Sequence, residues 1–223
     1  LEGVQQKHNR EAAVRALHRW DSPLLLLVFS RDRLRWEEAE AQFAERECLE
    51  QHLVGGLSAP DAIRFLEKCG ISDPPLQQAI LRVSVDTEGP AIHSTAAQET
   101  GYHPFTLGLC ADTGLEARAR GKPADAETFR IAPGDVVALA GRFLRSLSQP
   151  AMEVWVKKLA FTAHFDEPAA RAAYGGVPGV AQDAAIASLF KYSFVQEAQT
   201  PGWSRLHSRM RHALAEIGKT SNG

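Results

Sequence analysis

The 223-residue chain has few cysteines and no excess of charge of either sign. Its three cysteines, Cys48, Cys69 and Cys110, are widely spaced and form no Cys-x-x-Cys pair, which excludes a zinc site built on paired cysteines and a dithiol redox motif. The 25 basic and 27 acidic residues leave a formal net charge of -2. The chain as a whole therefore has no electrostatic reason to bind nucleic acid or a charged membrane, and any charge-based site must be local.

Long apolar runs are also missing. No run approaches the roughly 20 residues that a membrane-spanning helix needs, and the N-terminus has neither the cationic start nor the cleavage site of a signal peptide. We therefore expect reduced thiols, no membrane partner and a cytoplasmic location.

A complete phosphate-binding loop is absent as well, since no Gly-x-x-x-x-Gly-Lys-Ser/Thr occurs. Gly218-Lys219-Thr220 has the right ending, but it follows a helical pattern and Ala213 stands where the first glycine is required. No apolar strand ending in paired acids precedes Leu24. Because phosphoryl transfer needs the loop amides, the lysine and magnesium-holding groups, this chain alone is not expected to be catalytic.

One apolar run, residues 24–29, is followed directly by Ser30 and Arg31. A run without polar alternation is typical of a parallel strand buried on both faces, although periodicity alone leaves a buried helix segment open. A residue immediately after a parallel strand lies at the ligand crevice of the sheet, and an arginine there can bind phosphate through forked hydrogen bonds. The alternative for Arg31 is an ordinary solvated side chain.

Helix signals dominate the rest of the chain. Ser58 predicts an N-cap with Asp61 in the first turn, and Pro104 is expected in the first turn of a later helix. The helix that Ser58 opens is predicted to end at Gly70. Further helices are predicted over 75–85, over 90–99, after Pro104 and over 134–147. Residues 114–133 are predicted to form a linker or long loop.

From Ser148 onward the pattern predicts three short helices, a β-hairpin and a closing helix. Ser148 and Asp166 are candidate N-caps, residues 182–190 form the third helix, and Thr200-Pro201-Gly202 is a hairpin turn signal. Three short helices followed by a hairpin is the order of a winged helix. The closing helix is predicted over 207–217.

Three stretches in this order resemble the nucleotide-binding module of the STAND NTPases, the group that includes the NB-ARC proteins. "VFSRDRLRW" is similar to the sensor-1 strand with its arginine, "ETGYHPFTLGL" to the Gly-x-Pro motif of the lid, and "SRLHSRMRHAL" to the winged-helix segment that holds the family's histidine. The resemblance implies a mainly α fold, a helical lid bundle followed by a winged-helix domain, with an N-terminal helix-strand remnant of a P-loop α/β domain. The expected boundaries are 1–54 for the remnant, 55–133 for the lid and linker, 134–217 for the winged helix and 218–223 for a flexible tail.

The resemblance also implies a nucleotide site. It puts Arg31 at the γ-phosphate of ATP, Pro104 against adenine and His207 on the β-phosphate of ADP. The expected site consists of Ser30, Arg31, Gly101, His103, Pro104 and His207. Besides Arg31, two of them also have purely structural alternatives: Pro104 as a plain helix start and His207 as a histidine at a strand-helix junction.

The sequence departs from the family's pattern at two positions. Tyr102 stands where a second glycine is common, and Ser208 stands where an acidic residue follows the histidine.

The implied function is a signalling switch that ADP keeps closed and ATP opens, so that the protein oligomerises and activates an effector domain. Its cofactors would be ATP or ADP, with magnesium held by motifs that this chain lacks, and its first partner a P-loop half upstream. One alternative is a winged-helix transcription regulator, although residues 182–190 contain no Lys or Arg for phosphate contacts. Another is an interaction scaffold that works without nucleotide.

Overall fold

The computed structural model describes residues 56–86, 101–147, 150–174, 182–198 and 200–220. The chain divides into two compact units, Leu1–Leu53 and Val54–Gly223, and every described residue belongs to the second. Several predictions lie outside the described residues: the strand over 24–29, Ser30 with Arg31, the helix over 90–99 and the N-cap Ser148.

The described residues are mainly α-helical, as the sequence predicts. In chain order the elements are α1 (Ala59–Lys68), α2 (Pro74–Ser84), α3 (Pro104–Ala119), a 3-10 helix (Ala126–Phe129), α4 (Val136–Ser146), α5 (Pro150–Leu159), α6 (Glu167–Tyr174), α7 (Gln182–Leu189), β1 (Val195–Glu197), β2 (Ser204–Leu206) and α8 (Ser208–Thr220). None of the described helices has the length and apolar character needed to cross a membrane.

Side-chain caps explain where several helices begin. Ser58 Oγ accepts a hydrogen bond from Asp61 N at 3.3 Å, and Asp166 Oδ1 accepts one from Ala169 N at 2.8 Å, so these two of the three predicted N-caps are confirmed. Asp73 and Asp135 cap α2 and α4 in the same way. Each such cap satisfies a backbone amide that the helix leaves unpaired and contributes about 1 kcal/mol.

The core is continuous from α1 to α8, and α3 contributes more buried residues to it than any other described helix. α4 packs against both α3 and α8. On α4, Phe143 meets the rings of Tyr192 and Phe194 edge-on, each with ring centroids 5.1 Å apart. These aromatic contacts tie the helices before residue 147 to the hairpin region after residue 191.

The predicted hairpin is present. β1 and β2 pair antiparallel, with Val195 opposite Leu206 and Glu197 opposite Ser204, and Gly202 in the turn has a φ of 79°, a conformation that favours glycine. Phe165 extends this sheet, because its backbone exchanges two hydrogen bonds with that of Ser204, at 2.8 and 2.7 Å.

The prediction of a linker or long loop over 114–133 is wrong in part. α3 continues to Ala119, and a capping box between Asp125 and Thr128 starts the 3-10 helix, which buries Phe129 completely. The glycine, proline and charge content of this stretch is typical of a loop, but one aromatic side chain anchors it to the core. Gly114 belongs to the buried face of α3, where a Cβ would lie 3.5 Å from Ile71 Cδ1.

The final helix is longer than predicted. α8 runs to Thr220, so residues 218–220 of the predicted flexible tail are helical. Lys219 Nζ lies 2.7 Å from Glu216 Oε1, and Thr220 Oγ1 donates to the Ile217 carbonyl at 3.0 Å. Gly218-Lys219-Thr220 is therefore the end of a helix and does not have the geometry of a phosphate-binding loop.

Candidate functional site

A short β-like crossing fixes the chain just before α3. Tyr102 exchanges backbone hydrogen bonds with Leu57 at 2.8 and 2.9 Å on one side and forms a bridge with Val85 on the other. His103 N donates to Ser84 O at 2.8 Å. The backbone that leads into α3 is thus held from both sides.

Gly101 lies against the backbone of Gly56. A Cβ on Gly101 would be 3.3 Å from Gly56 Cα, and a Cβ on Gly56 would be 2.6 Å from Tyr102 N. The close approach that Gly101 permits in this structure is therefore an approach of protein backbone, which explains a glycine at both positions.

His103 caps the N-terminus of α3. Its Nδ1 accepts a hydrogen bond from Phe105 N at 3.2 Å, and Pro104, which is exposed, is the first residue of the helix. Proline suits that position because its missing amide proton would be unpaired there in any residue.

His207 stands in the same relation to α8. Its Nδ1 accepts from Arg209 N at 3.2 Å, and its own backbone N donates to Phe194 O at 2.7 Å. In a neutral imidazole with Nδ1 as acceptor, Nε2 carries the proton. This geometry is the same in His103 and His207, so the Nε2 side of each ring is the side that can donate.

Phe105 brings the two histidines together. Its ring stacks on that of His207 with centroids 4.3 Å apart and planes 20° apart, and the ring of His103 meets it edge-on at 6.2 Å. The N-terminus of α3, at residue 104, and that of α8, at residue 208, thus flank one aromatic ring. Helix N-termini attract anions through their amides and partial positive charge, and the two imidazoles add N–H donors.

Of the six predicted site residues, four lie in the described part of the chain. His103, Pro104 and His207 belong to the cluster around Phe105, and Gly101 is two residues before His103. The sequence prediction missed Phe105 itself. A histidine stands directly before a helix at both 103 and 207, and this repetition is the sequence signal that could have pointed to Phe105.

A second polar cluster holds α3 against the loop before β1. Asp112 Oδ2 accepts hydrogen bonds from Ser193 N at 2.9 Å and from Ser193 Oγ at 2.7 Å. One turn along α3, Glu116 Oε1 accepts from Tyr192 Oη at 2.9 Å. Burial, and then the charge of Glu116, raise the pKa of the Tyr192 hydroxyl. Burial raises the pKa of Asp112 to about 6, although both hydrogen bonds from Ser193 oppose the rise.

The half-buried carboxyl of Asp112 predicts a pH dependence. Since the folded-state pKa of Asp112 lies above its usual 3.8, the folded chain holds a proton between about pH 4 and pH 6 that the unfolded chain has released, so this carboxyl lowers stability as the pH rises through that window. Asp112→Asn can still accept from Ser193 but does not titrate. From about pH 4 to pH 7, the free energy of unfolding of Asp112→Asn should increase relative to that of the wild type by about 2–3 kcal/mol. Urea denaturation at each pH measures this difference.

Asp125 provides the opposite control. Hydrogen bonds from Thr128 lower the pKa of its exposed carboxyl, so that carboxyl adds stability above its unfolded pKa and loses it as the pH falls. The free energy of unfolding of Asp125→Asn should therefore decrease relative to that of the wild type as the pH rises. Parallel pH profiles for the wild type and Asp112→Asn would contradict the assignment of a raised pKa to Asp112.

The described residues contain no cluster of three or more His, Cys, Asp or Glu side chains that could hold a metal ion. Comparison with known proteins adds no relative: no family model matches the chain, and no curated protein or solved structure matches it significantly.

Proposed function

We propose that the described residues are the lid and winged helix of a STAND-type signalling ATPase, in which ADP favours a closed arrangement and ATP an open one. The observation that carries the proposal is the stack of Phe105 on His207. It joins the two stretches, "ETGYHPFTLGL" and "SRLHSRMRHAL", which the resemblance to the family places at one bound nucleotide. In this proposal α1 to α3 belong to the lid, and α4 to α8 with the hairpin form the winged-helix domain.

The chemistry of this cluster suits a diphosphate. The N-terminus of α8 and the Nε2–H of His207 would meet the β-phosphate, because both offer donors to an anion. The exposed ring of Pro104 would offer an apolar edge to adenine. Magnesium and the remaining phosphate contacts would come from a phosphate-binding loop in a half of the module that precedes this chain.

A switch requires that the two nucleotides differ in their affinity for the two arrangements. ADP would bridge the α3 and α8 N-termini and so favour the arrangement in which Phe105 and His207 stack. ATP adds a γ-phosphate, which Arg31 and Ser30 would contact. A difference of about 100-fold in relative affinity corresponds to about 2.7 kcal/mol. Opening would expose surfaces for self-oligomerisation and activation of an effector domain.

Transcription regulation through a winged helix finds less support. α7, which would enter the DNA groove, contains no Lys or Arg, and Glu167 and Glu197 line a surface groove of the protein at the hairpin. Since cation contacts to phosphate dominate DNA affinity, we expect no salt-dependent shift of a duplex probe.

The proposal predicts that His207→Asn weakens ADP binding while leaving the fold intact. Asparagine is a good N-cap and can replace the Nδ1 acceptor, but it lacks the imidazole donor. Loss of one hydrogen bond to a charged phosphate should raise the Kd for ADP about 10- to 100-fold. Isothermal titration of ADP into protein that includes the preceding phosphate-loop half measures this.

His212→Ala is the matched control, because His212 is exposed on the same helix and should leave the Kd unchanged. If the wild type binds neither ADP nor ATP, the proposal is wrong. Equal Kd values for His207→Asn and His212→Ala would remove His207 from the site. Intact partner binding without any nucleotide affinity would instead support the scaffold alternative.

A further inference from the structure

A groove of about 390 Å³ lies beside the hairpin, away from the Phe105 cluster. Its lining combines aromatic, acidic and small residues: Glu167, Phe190, Val195, Glu197, Gly202, Trp203 and Ser204. Phe190 and Trp203 are 37% and 40% exposed, which is unusual for two large aromatic side chains at one site.

The walls of this groove are held in place by the fold. Phe165, which is buried, lies against Phe190 with ring centroids 6.1 Å apart, and its backbone pairs with Ser204. The Trp203 backbone is tied to the other side of the turn, because its carbonyl accepts from Ala198 N at 2.8 Å. The Phe190 ring and the backbone that carries Trp203 are therefore in place before any ligand arrives, which lowers the entropy cost of binding.

Two carboxylates border the aromatic surface. Glu167 is held by Arg171, whose Nε and Nη2 both donate to its Oε1, at 2.9 and 2.6 Å; Oε2 accepts no hydrogen bond within the described residues. Arg171 is itself fixed to Asp183 on α7. Glu197 is exposed and has no ion-pair partner within the described residues. The groove thus presents acceptors and negative charge beside the aromatic rings.

We propose that this groove binds an arginine side chain on the surface of a partner protein. A guanidinium is attracted to the faces of Trp and Phe rings and forms forked hydrogen bonds with carboxylates. Nucleic acid phosphates would be repelled by Glu167 and Glu197, and a purely apolar partner would desolvate these carboxylates without pairing them. Charge complementarity therefore selects a cation. The aromatic rings favour a cation that is planar and weakly hydrated, as a guanidinium is. The inference does not depend on nucleotide binding.

The test uses the full chain and a short glycine-serine peptide with one central arginine, compared with the same peptide carrying neutral citrulline. We expect the arginine peptide to shift the backbone NMR signals of residues 195–206 with a Kd of about 1 mM, and the citrulline peptide to bind at least about tenfold more weakly. Glu197→Gln and Trp203→Ala should each raise the Kd about five- to tenfold.

Phe161→Ala is the matched control, since Phe161 is 78% exposed and does not line the groove; it should leave the Kd unchanged. Equal binding of the two peptides would overturn the proposal in favour of an apolar docking site. No binding of the arginine peptide up to about 10 mM would overturn it outright. A duplex DNA probe that binds the same residues would overturn it in favour of a nucleic-acid surface.

Discussion

Trp155→Ala is expected to lower the free energy of unfolding by about 3–5 kcal/mol, because it removes the largest fully buried side chain among the described residues. The Trp155 side chain is 1% exposed, and its indole Nε1–H donates to Ala170 O at 2.9 Å. Its ring meets that of Tyr174 edge-on, with centroids 4.7 Å apart. Truncation would leave a cavity between α5 and α6 and remove the hydrogen bond that links them.

Urea denaturation followed by far-UV circular dichroism measures this loss. Trp155→Phe keeps most of the apolar volume but lacks the indole donor, so it should cost less than the alanine variant. Trp203→Ala is the control, because the Trp203 side chain is 40% exposed, and should change the free energy of unfolding by less than about 1 kcal/mol. Similar losses for Trp155→Ala and Trp203→Ala would contradict the described packing of α5 on α6.

Gly108→Ala is expected to destabilise the fold by about 1–3 kcal/mol, although alanine is the better helix former by about 1 kcal/mol. A Cβ at this position of α3 would lie 2.6 Å from both Cβ and Oγ of Ser193. Ser193 cannot retreat freely, because its N and Oγ both donate to Asp112. The substitution must therefore displace the loop before β1 or break these hydrogen bonds.

Gly218→Ala separates the steric effect from helix propensity. No atom lies within 4 Å of a Cβ at Gly218, so this variant should gain up to about 1 kcal/mol. Ser193→Gly in the Gly108→Ala background removes the clashing atoms and should recover part of the loss. Thermal denaturation of the four proteins gives the comparison. A Gly108→Ala variant as stable as Gly218→Ala would show that α3 and Ser193 are not in contact.

The same contact connects stability with the proposed nucleotide site. Ser193 precedes Phe194, whose carbonyl accepts the hydrogen bond from His207 N at 2.7 Å. α3 carries Phe105 at its N-terminus and touches Ser193 one turn further on. Because a helix transmits displacement as a rigid element, a change at Gly108 should also weaken ADP binding, even though Gly108 is not expected to touch the nucleotide.

Local structure was largely predictable from the sequence. The start of α1 follows from Ser58 and that of α6 from Asp166, since each residue caps a helix through its own side chain. Pro104 sets the start of α3 because its fixed φ suits the first helical turn. The hairpin follows from Gly202, which adopts the positive φ of the turn. In each case the physical cause lies within a few residues of the effect.

The stretch from 114 to 133 was not predictable in this way. Composition indicates a loop, yet Phe129 is fully buried, and the helical continuation to Ala119 places Glu116 where it accepts from Tyr192. Both depend on partners far along the chain, whose positions local patterns do not contain.

The sequence by itself determined most of the helices, the caps Ser58 and Asp166, the order of helices and hairpin, and the candidate residues His103 and His207. Only the tertiary structure decided that these two histidines share the ring of Phe105, and that Gly101 makes room for Gly56. Capping and turn preferences are set by neighbouring residues, whereas the meeting of two helix N-termini is set by how α3, α4 and α8 bury their apolar faces together.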